Sequence, residues 1–279
     1  MRGPDRIRSE LEPIWCRGCG NYGILNAFCR ALDSLEMDPD RVVVVSGIGC
    51  SGRFPWFVRT YGFHVVHGRV LPVATGIKLA NPSLSVIGVS GDGDAFAIGG
   101  GHIIHAARRN VDIAYLVFDN FTYGQTRGQA SPTSDEDRMP RHALPYGLIE
   151  EPLNPIALAI AYDVSFVARG FSGDVEFLSD LIAKAISHKG FAMVDIISPC
   201  YTFNNTWDMV KEKAERIGPE HDPTDRAEAF KLAIAEADRI YMGIFYVKEK
   251  PTLEERLMMA RRMESPPPLE EMIGKLRVF

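Results

Sequence analysis

Ser90-Gly91-Asp92-Gly93-Asp94-Ala95 opens the stretch that decides this chain's architecture, and Val117-Phe118-Asp119-Asn120 closes it. Ahead of it, Leu84-Ser85-Val86-Ile87-Gly88-Val89-Ser90 is short, apolar and β-branched, as in a strand buried on both faces. Gly91 and Gly93 then permit a turn whose backbone can approach a ligand closely. Val111 to Phe118 supplies a second buried strand, with Asn120 where it ends. Ligands of open α/β sheets bind at such carboxyl ends, so Asp92 and Asn120 are expected to converge as two hard oxygen donors.

A carboxylate, an amide oxygen and the backbone carbonyl of Thr122 suit Mg2+, with diphosphate oxygens completing the octahedron. Gly91-Asp92-Gly93, twenty-six intervening residues and then Asn120 resembles the diphosphate-binding motif of thiamine-diphosphate enzymes. The resemblance implies that Gly91, Asp92, Gly93, Asp94, Asn120 and Thr122 hold the cofactor, with Asp92, Asn120 and Thr122 on magnesium.

The 279 residues are long enough to bury a substantial core. A net charge of −5 supplies no basic field for nucleic acid or anionic lipid. The first residues are charged and lack a signal peptide's apolar core, and no run approaches eighteen apolar residues. A cytoplasmic protein without membrane or nucleic-acid partners is expected. Five cysteines are too few for a disulfide scaffold, and their spacing needs a different account.

Trp15-Cys16-Arg17-Gly18-Cys19-Gly20 places two cysteines in Cys-x-x-Cys spacing ahead of an amphipathic helix marked by Tyr22, Leu25, Phe28, Leu32 and Leu35. Cys29 falls on that helix's apolar face, as a core cysteine would. Arg41 to Ser46 reads as a buried strand that runs into Gly47-Ile48-Gly49-Cys50. Phe191 to Ile197 is another strand, followed by Ser198-Pro199-Cys200. Cys16, Cys19, Cys50 and Cys200 thus offer four thiolates from three loops, suited to tetrahedral zinc or to a [4Fe–4S] cluster. A thioredoxin-type dithiol accounts only for the first pair.

Cys-x-x-Cys beside the thiamine motif resembles the β subunit of 2-oxoacid:ferredoxin oxidoreductases. The matching segments lie within residues 14–205: Cys16 to Gly20, Gly47 to Ser51, His67-Gly68-Arg69, Gly91 to Asp94, Tyr123 to Gln129, Ser131 to Ser134 and Ser198 to Cys200. The resemblance implies that Cys16, Cys19, Cys50 and Cys200 bind a [4Fe–4S] cluster, with Cys50 and His67 also close to thiamine diphosphate. Arg17 departs from the family's usual proline. The activity implied is reversible, coenzyme A-dependent oxidative decarboxylation of a 2-oxoacid, with electrons passing through the cluster to ferredoxin. The chain has room for the diphosphate-binding domain alone, so an α subunit with the pyrimidine-binding domain is expected, in an α2β2 assembly.

Arg53-Phe54-Pro55-Trp56 resembles the 2-oxoglutarate branch of the family. Arg53, Gln125 and Arg127 are candidates for a basic, hydrogen-bonding wall around an anionic substrate, and His67 for contact with substrate or diphosphate. The unpatterned loop from Phe121 to Met139 is long enough to be functional. Three other readings stand beside this one. One is a pyruvate or broad-specificity member of the family. The second is a non-redox thiamine decarboxylase or carboligase half with structural zinc. The third is a non-catalytic electron-transfer or scaffold subunit, against which Asp92 and Asn120 argue.

Strands at 42–46, 84–90, 111–118, 164–168 and 191–197 alternate with helices at 72–80, 95–109, 154–161 and 175–188. That order predicts an α/β, doubly wound, mostly parallel sheet of the thiamine-diphosphate-binding type, without an internal repeat. Residues 1–205 are expected to form this domain. Residues 206–279 read as a charged helical extension packing on the domain or on partner subunits. Within it a helix is expected to start at Asp222-Pro223 and continue to Ile240. An edge strand follows at Tyr241 to Val247, then a helix capped by Thr252 and Glu255, and a break at Ser265-Pro-Pro-Pro268 before a final short helix.

Overall fold

The computed structural model describes residues 6–135, 147–235 and 239–263. Its centre is one sheet in which strands β1 (Val42–Ser46), β2 (Tyr61–His64), β3 (Ser85–Gly91), β4 (Ile113–Asp119), β5 (Phe166–Phe171), β6 (Phe191–Ile197), β7 (Ala214–Arg216) and β8 (Ile240–Val247) lie in the order β2-β1-β3-β4-β6-β5-β8-β7. All pairs from β2 to β5 are parallel, and β8 runs antiparallel to β5. The mostly parallel, doubly wound arrangement is the one expected. Helices connect parallel strands because the chain must cross back over the sheet.

Side-chain alternation along the strands explains the two faces. Val42 and Val44 join one apolar cluster, Val43 and Val45 the other. The first face carries α1 (Asn21–Ser34) and α5 (Val175–Ser187), through Leu25, Phe28, Leu178 and Ile182. The second carries α2 (Val70–Ala80), α3 (Gly100–Arg109) and α4 (Pro155–Ala161), through Leu71, Ala74, Ile103, Ala107 and Ile160. Strands buried on both sides need residues that are apolar at every position, hence Val42-Val-Val-Val45.

Three expectations are corrected. The helix anticipated over Ala95–Arg109 is split: a π-helical turn spans Gly93–Ile98, Ala97 leaves helical geometry, and α3 begins at Gly100. Low helix propensity at three consecutive glycines lets the turn take the shape its neighbours impose. Gly99 has no room for a Cβ, which would stand 2.3 Å from the Asp94 carbonyl oxygen, whereas Gly100 and Gly101 face open space.

The helix expected from Asp222 starts instead at Arg226 and ends at Ile234. Asp222 spends its carboxylate on the Thr224 N–H at 2.8 Å, whereas Asp225 accepts the N–H groups of Ala227 and Glu228 and is the true cap. Strand β2 was absent from the pattern because its residues are all exposed. Beyond residue 205 the chain adds α6 (Trp207–Lys213) and the unexpected strand β7, which pairs outside β8, so the strand expected at Tyr241 to Val247 forms but is not the sheet's edge. The last helix, α8 (Leu253–Met263), does carry its capping box: Thr252 N–H donates to Glu255 Oε2 and Glu255 N–H to Thr252 Oγ1. Met139, Ser265-Pro-Pro-Pro268 and the final short helix lie outside the described residues.

Asn110 locks the base of the sheet. It ends α3 in the left-handed region (φ 52°), fully buried, and accepts from Phe191 N–H and Ser165 Oγ while donating to the Lys250 carbonyl. Asn110→Ala is expected to lower unfolding stability by about 2 kcal/mol or more, because it orphans buried partners at the join of three elements. Chemical denaturation of both proteins checks this.

Candidate active site

Strands β1, β3, β4 and β6 are neighbours in the sheet, and the loops leaving their carboxyl ends carry Cys50, Asp92, Asn120 and Cys200 respectively. Strand order reverses between β1 and β3, so a crevice opens there. It forms a cavity of about 410 Å³ lined by Asn21, Ile48, Cys50, His67, Gly91 to Asp94, Asn120, Thr122 and Tyr123 to Thr126, among others. Asp92 and Asn120 do converge on it. Gly93 is required: a Cβ there would stand 2.1 Å from the Tyr123 ring.

Asp92 is buried, and one of its oxygens accepts hydrogen bonds from Ser131 Oγ and from Thr133 Oγ1 (2.9 Å). Thr133 Oγ1 also lies 2.7 Å from Asp119 Oδ1. Burial is the main cause that pushes the Asp92 carboxyl up to about 6, opposed only by hydroxyl and backbone N–H donors. A buried carboxylate with no cationic partner among the described residues is the donor that a divalent ion would satisfy. Phe121 sits in the left-handed region (φ 58°), reversing the chain between Asn120 and Thr122. Asn120 Oδ1 accepts the Thr122 N–H at 3.1 Å, and the Thr122 carbonyl, the expected ligand, already accepts Gly124 N–H at 3.0 Å. Each of these oxygens keeps a second lone pair for a cation.

The four cysteines are gathered by hydrogen bonds between their loops. Trp15 Nε1 donates to the Cys50 carbonyl, Gly20 N–H to the Pro199 carbonyl and Trp207 Nε1 to the Gly18 carbonyl. Burial raises the Cys19 thiol to about 12, and Cys50, Cys200 and Cys16 each add to the rise. Cys50 is likewise raised by burial and by Cys200 and Cys16, while Arg53 opposes it. Cys19 and Cys50, whose ionisation burial and the neighbouring thiols disfavour, fit a cationic group held in common with Cys16 and Cys200. Among the described residues, no three His, Cys, Asp or Glu side chains are close enough to hold a single metal ion. Cys29 lies apart, buried in the core beneath α1.

The thiols and the cavity share a wall. A Cβ at Gly124 would stand 3.5 Å from Cys200 Sγ, 4.0 Å from Cys50 Sγ and 3.7 Å from Asn120 Nδ2. Cys50, Cys200 and the Asn120 amide therefore meet around Gly124, and Cys50 itself lines the cavity.

The remaining candidates divide. His67 and Gln125 line the cavity; Arg53 and Arg127 do not. Arg53 stands close enough to Cys50 to influence that thiol, and Arg127, exposed in a left-handed conformation (φ 81°), sits at the tip of the Tyr123–Gln129 turn. The backbone N–H and side-chain groups around Asp94 take up both of its oxygens. Its carboxylate is thus bound by the protein's own donors. Sequence reasoning missed the roles of Ser131, Thr133 and Asn21. The hydroxyl run Ser131-Pro132-Thr133-Ser134 in a long loop was the available signal.

Fold and site define a thiamine-diphosphate enzyme domain, and residues 39–196 match the family "Thiamine pyrophosphate enzyme, C-terminal TPP binding domain". Residues 200–262 match the family described as the C-terminal part of the pyruvate ferredoxin oxidoreductase beta chain. The 2-oxoacid:ferredoxin oxidoreductase subunit beta of a Sulfolobus species is 48% identical over 259 residues, covering 87% of this chain and 85% of that one. The 2-oxoglutarate synthase subunit KorB of Methanothermobacter marburgensis is 38% identical, covering 90% and 88%. A solved 2-oxoglutarate:ferredoxin oxidoreductase from Magnetococcus marinus, with 2-oxoglutarate, coenzyme A and succinyl-CoA bound, superposes with a TM-score of 0.93 at 40% identity, covering 98% of this chain and 95% of that one. The chain belongs to the β subunits of 2-oxoacid:ferredoxin oxidoreductases. It is a subunit of an oxidoreductase, and its relatives' designation as subunit beta implies an α partner. Among the described residues no helix is long and apolar enough to cross a membrane.

Proposed function

We propose that this chain is the β half of a cytoplasmic 2-oxoglutarate:ferredoxin oxidoreductase, which forms succinyl-CoA reversibly and passes electrons through a [4Fe–4S] cluster to ferredoxin. The observation that carries this reading is that Cys50, Cys200 and the cavity-lining Asn120 meet around Gly124. Bound thiamine diphosphate supplies the nucleophilic carbon and electron sink for decarboxylation, and an iron–sulfur cluster accepts electrons one at a time. Asp92, Asn120 and Thr122 hold magnesium and the diphosphate. Ser131 and Thr133 hold Asp92 in place. Cys16, Cys19, Cys50 and Cys200 hold the cluster.

Exposed apolar side chains at the cavity's rim and the neighbouring edge strand, among them Ile48, Trp56, Tyr61, Phe63 and Val66, support closure by an α subunit. Iron, acid-labile sulfide and thiamine diphosphate measured on the anaerobically purified αβ complex test the reading. Zinc without sulfide would sink it.

The substrate follows the structural neighbour and the KorB relative, whose names carry 2-oxoglutarate. Arg127, two residues beyond the cavity-lining Gln125, is the group proposed to meet the distal carboxylate, and Arg53 serves the cluster side. A charge-assisted bond contributes roughly 1.5–3 kcal/mol, so kcat/KM for 2-oxoglutarate is expected to exceed that for pyruvate about ten- to a hundredfold. Arg127→Ala should narrow that ratio. Equal rates on both substrates in the unaltered enzyme would favour the broad-specificity member instead.

A further inference from the structure

Asn21 joins the two halves of the site. It is the first residue of α1, follows Cys19-Gly20 directly, and is 3% exposed. Burial raises the Cys19 thiol, and a hydrogen bond from the Asn21 backbone opposes that rise. The side chain meets two further groups. Ser198 Oγ, two residues before Cys200, donates to Asn21 Oδ1 at 2.8 Å, and Asn21 lines the cofactor cavity.

The fit around this amide is close. Gly20 N–H donates to the Pro199 carbonyl at 3.1 Å, and a Cβ at Gly20 would stand 2.6 Å from both Ser172 Oγ and Ser198 Oγ. Glycine at that position lets the Cys19 and Cys200 loops close on each other and brings Asn21 to Ser198. An amide carries one accepting oxygen and one nitrogen with two donors. With Oδ1 committed to the Ser198 hydroxyl, the side chain's orientation is fixed and the Nδ2 donors are left for the cavity. A buried donor without an acceptor costs free energy, so an acceptor on the cavity's ligand completes it.

Electrons bound for a cluster leave from the end of the cavity nearest the thiols, and Asn21 is bonded to one of those thiols. Asp92, Asn120 and Thr122 account for the magnesium and diphosphate, which leaves Asn21 for the reacting end. The acceptor there is the 2-oxo oxygen of the substrate, on which negative charge builds as its carbonyl carbon is attacked. A donor fixed in advance and aimed at such an oxygen stabilises the charge where it develops.

We propose that Asn21 is a catalytic residue: its Nδ2, held in place by Ser198, hydrogen-bonds the 2-oxo oxygen of the bound 2-oxoacid. The inference rests on the function proposed above for this cavity. Asn21 donates a hydrogen bond and gives up no proton.

Asn21→Asp keeps the shape and an oxygen for Ser198 but replaces the Nδ2 donors with an acceptor. Asn21→Ala removes the whole amide, and both variants keep the backbone N–H on Cys19. In the αβ complex each is expected to lower kcat for 2-oxoglutarate about a hundredfold or more with KM little changed, as for a bond made in the transition state. The rate at which 2-oxoglutarate reduces the cluster without ferredoxin, read from visible absorbance, should fall by the same factor. Iron and sulfide per chain should match the unaltered complex. So should thiamine diphosphate affinity with Mg2+, by calorimetry on the complex stripped of cofactor by chelation. Ser198→Ala, which frees the amide to turn, should cost less, and should add nothing to Asn21→Ala because the two act in series.

Full kcat in Asn21→Asp would overturn the inference, since the donors are gone. Iron or cofactor affinity lost in step with the rate would also overturn it and assign Asn21 to holding the loops. Should Asn21→Ala fail to fold, Asn21→Asp decides. If the unaltered complex turns over neither 2-oxoglutarate nor pyruvate, the proposed function itself fails, which is a separate result.

Discussion

Anaerobically purified αβ complexes carrying Cys16→Ser, Cys19→Ser, Cys50→Ser or Cys200→Ser are expected to lose the four-iron stoichiometry and its acid-labile sulfide, whereas Cys29→Ser keeps both. The four residues reach one region from three loops, and burial, with the neighbouring thiols, raises Cys19 and Cys50, which favours a cationic centre beside them. Cys29 lies in the core under α1, and its serine variant tests packing alone. The measurement is iron and sulfide per chain, with the visible spectrum of a reducible cluster as a second readout. Loss of the cluster from Cys29→Ser with the fold retained, or retention of full iron in two of the other four, would defeat the assignment. Cys16→Ser, Cys19→Ser and Cys200→Ser, at positions that do not line the cofactor cavity, should still bind thiamine diphosphate while ceasing to reduce ferredoxin.

Asp92→Ala is expected to abolish measurable thiamine diphosphate binding in the presence of Mg2+. Outer partners of metal ligands alone are typically worth about 10–100-fold in affinity, and a direct carboxylate ligand exceeds that. Asp92 is also the buried group whose burial pushes it up to about 6, so the isolated carboxyl pays for its place unless a cation joins it. Thr133→Val offers a graded companion. It removes one hydroxyl from Asp92 and from Asp119 but leaves the ligand itself, and should weaken binding by about tenfold. Calorimetry on the stripped complex reads both. Undiminished affinity in Asp92→Ala would remove Asp92 from the magnesium site and with it the diphosphate reading of this turn.

Much of this was open to reading in the linear chain, because local chemistry repeats there. A strand buried on both faces must be apolar at every position, so Val42-Val-Val-Val45 and Phe191 to Ile197 announced themselves. Gly91-Asp92-Gly93 could serve only where backbone comes close to another group, and it does, against Tyr123. The Cys16–Cys19 turn and the reciprocal Thr252–Glu255 cap are contacts within four residues, which spacing alone specifies. Exposed β2 carried no such pattern, since a strand without a buried face has no apolar rhythm to show.

What the sequence determined by itself is the set of donors and the strand ends that bear them. Only the tertiary structure decided which donors are spent on the protein and which are left for a ligand. Asp92 and Asp94 stand two apart in the same motif and look alike in sequence. Asp92 meets two hydroxyls on one oxygen and opens on the cavity, while Asp94 is closed in by Ile48, His67, Gly68 and Ser90. Likewise Arg53 and Gln125 both follow strand ends, yet only Gln125 lines the cavity. Hydrogen-bond saturation and burial depend on residues dozens of positions away, and no local pattern encodes them.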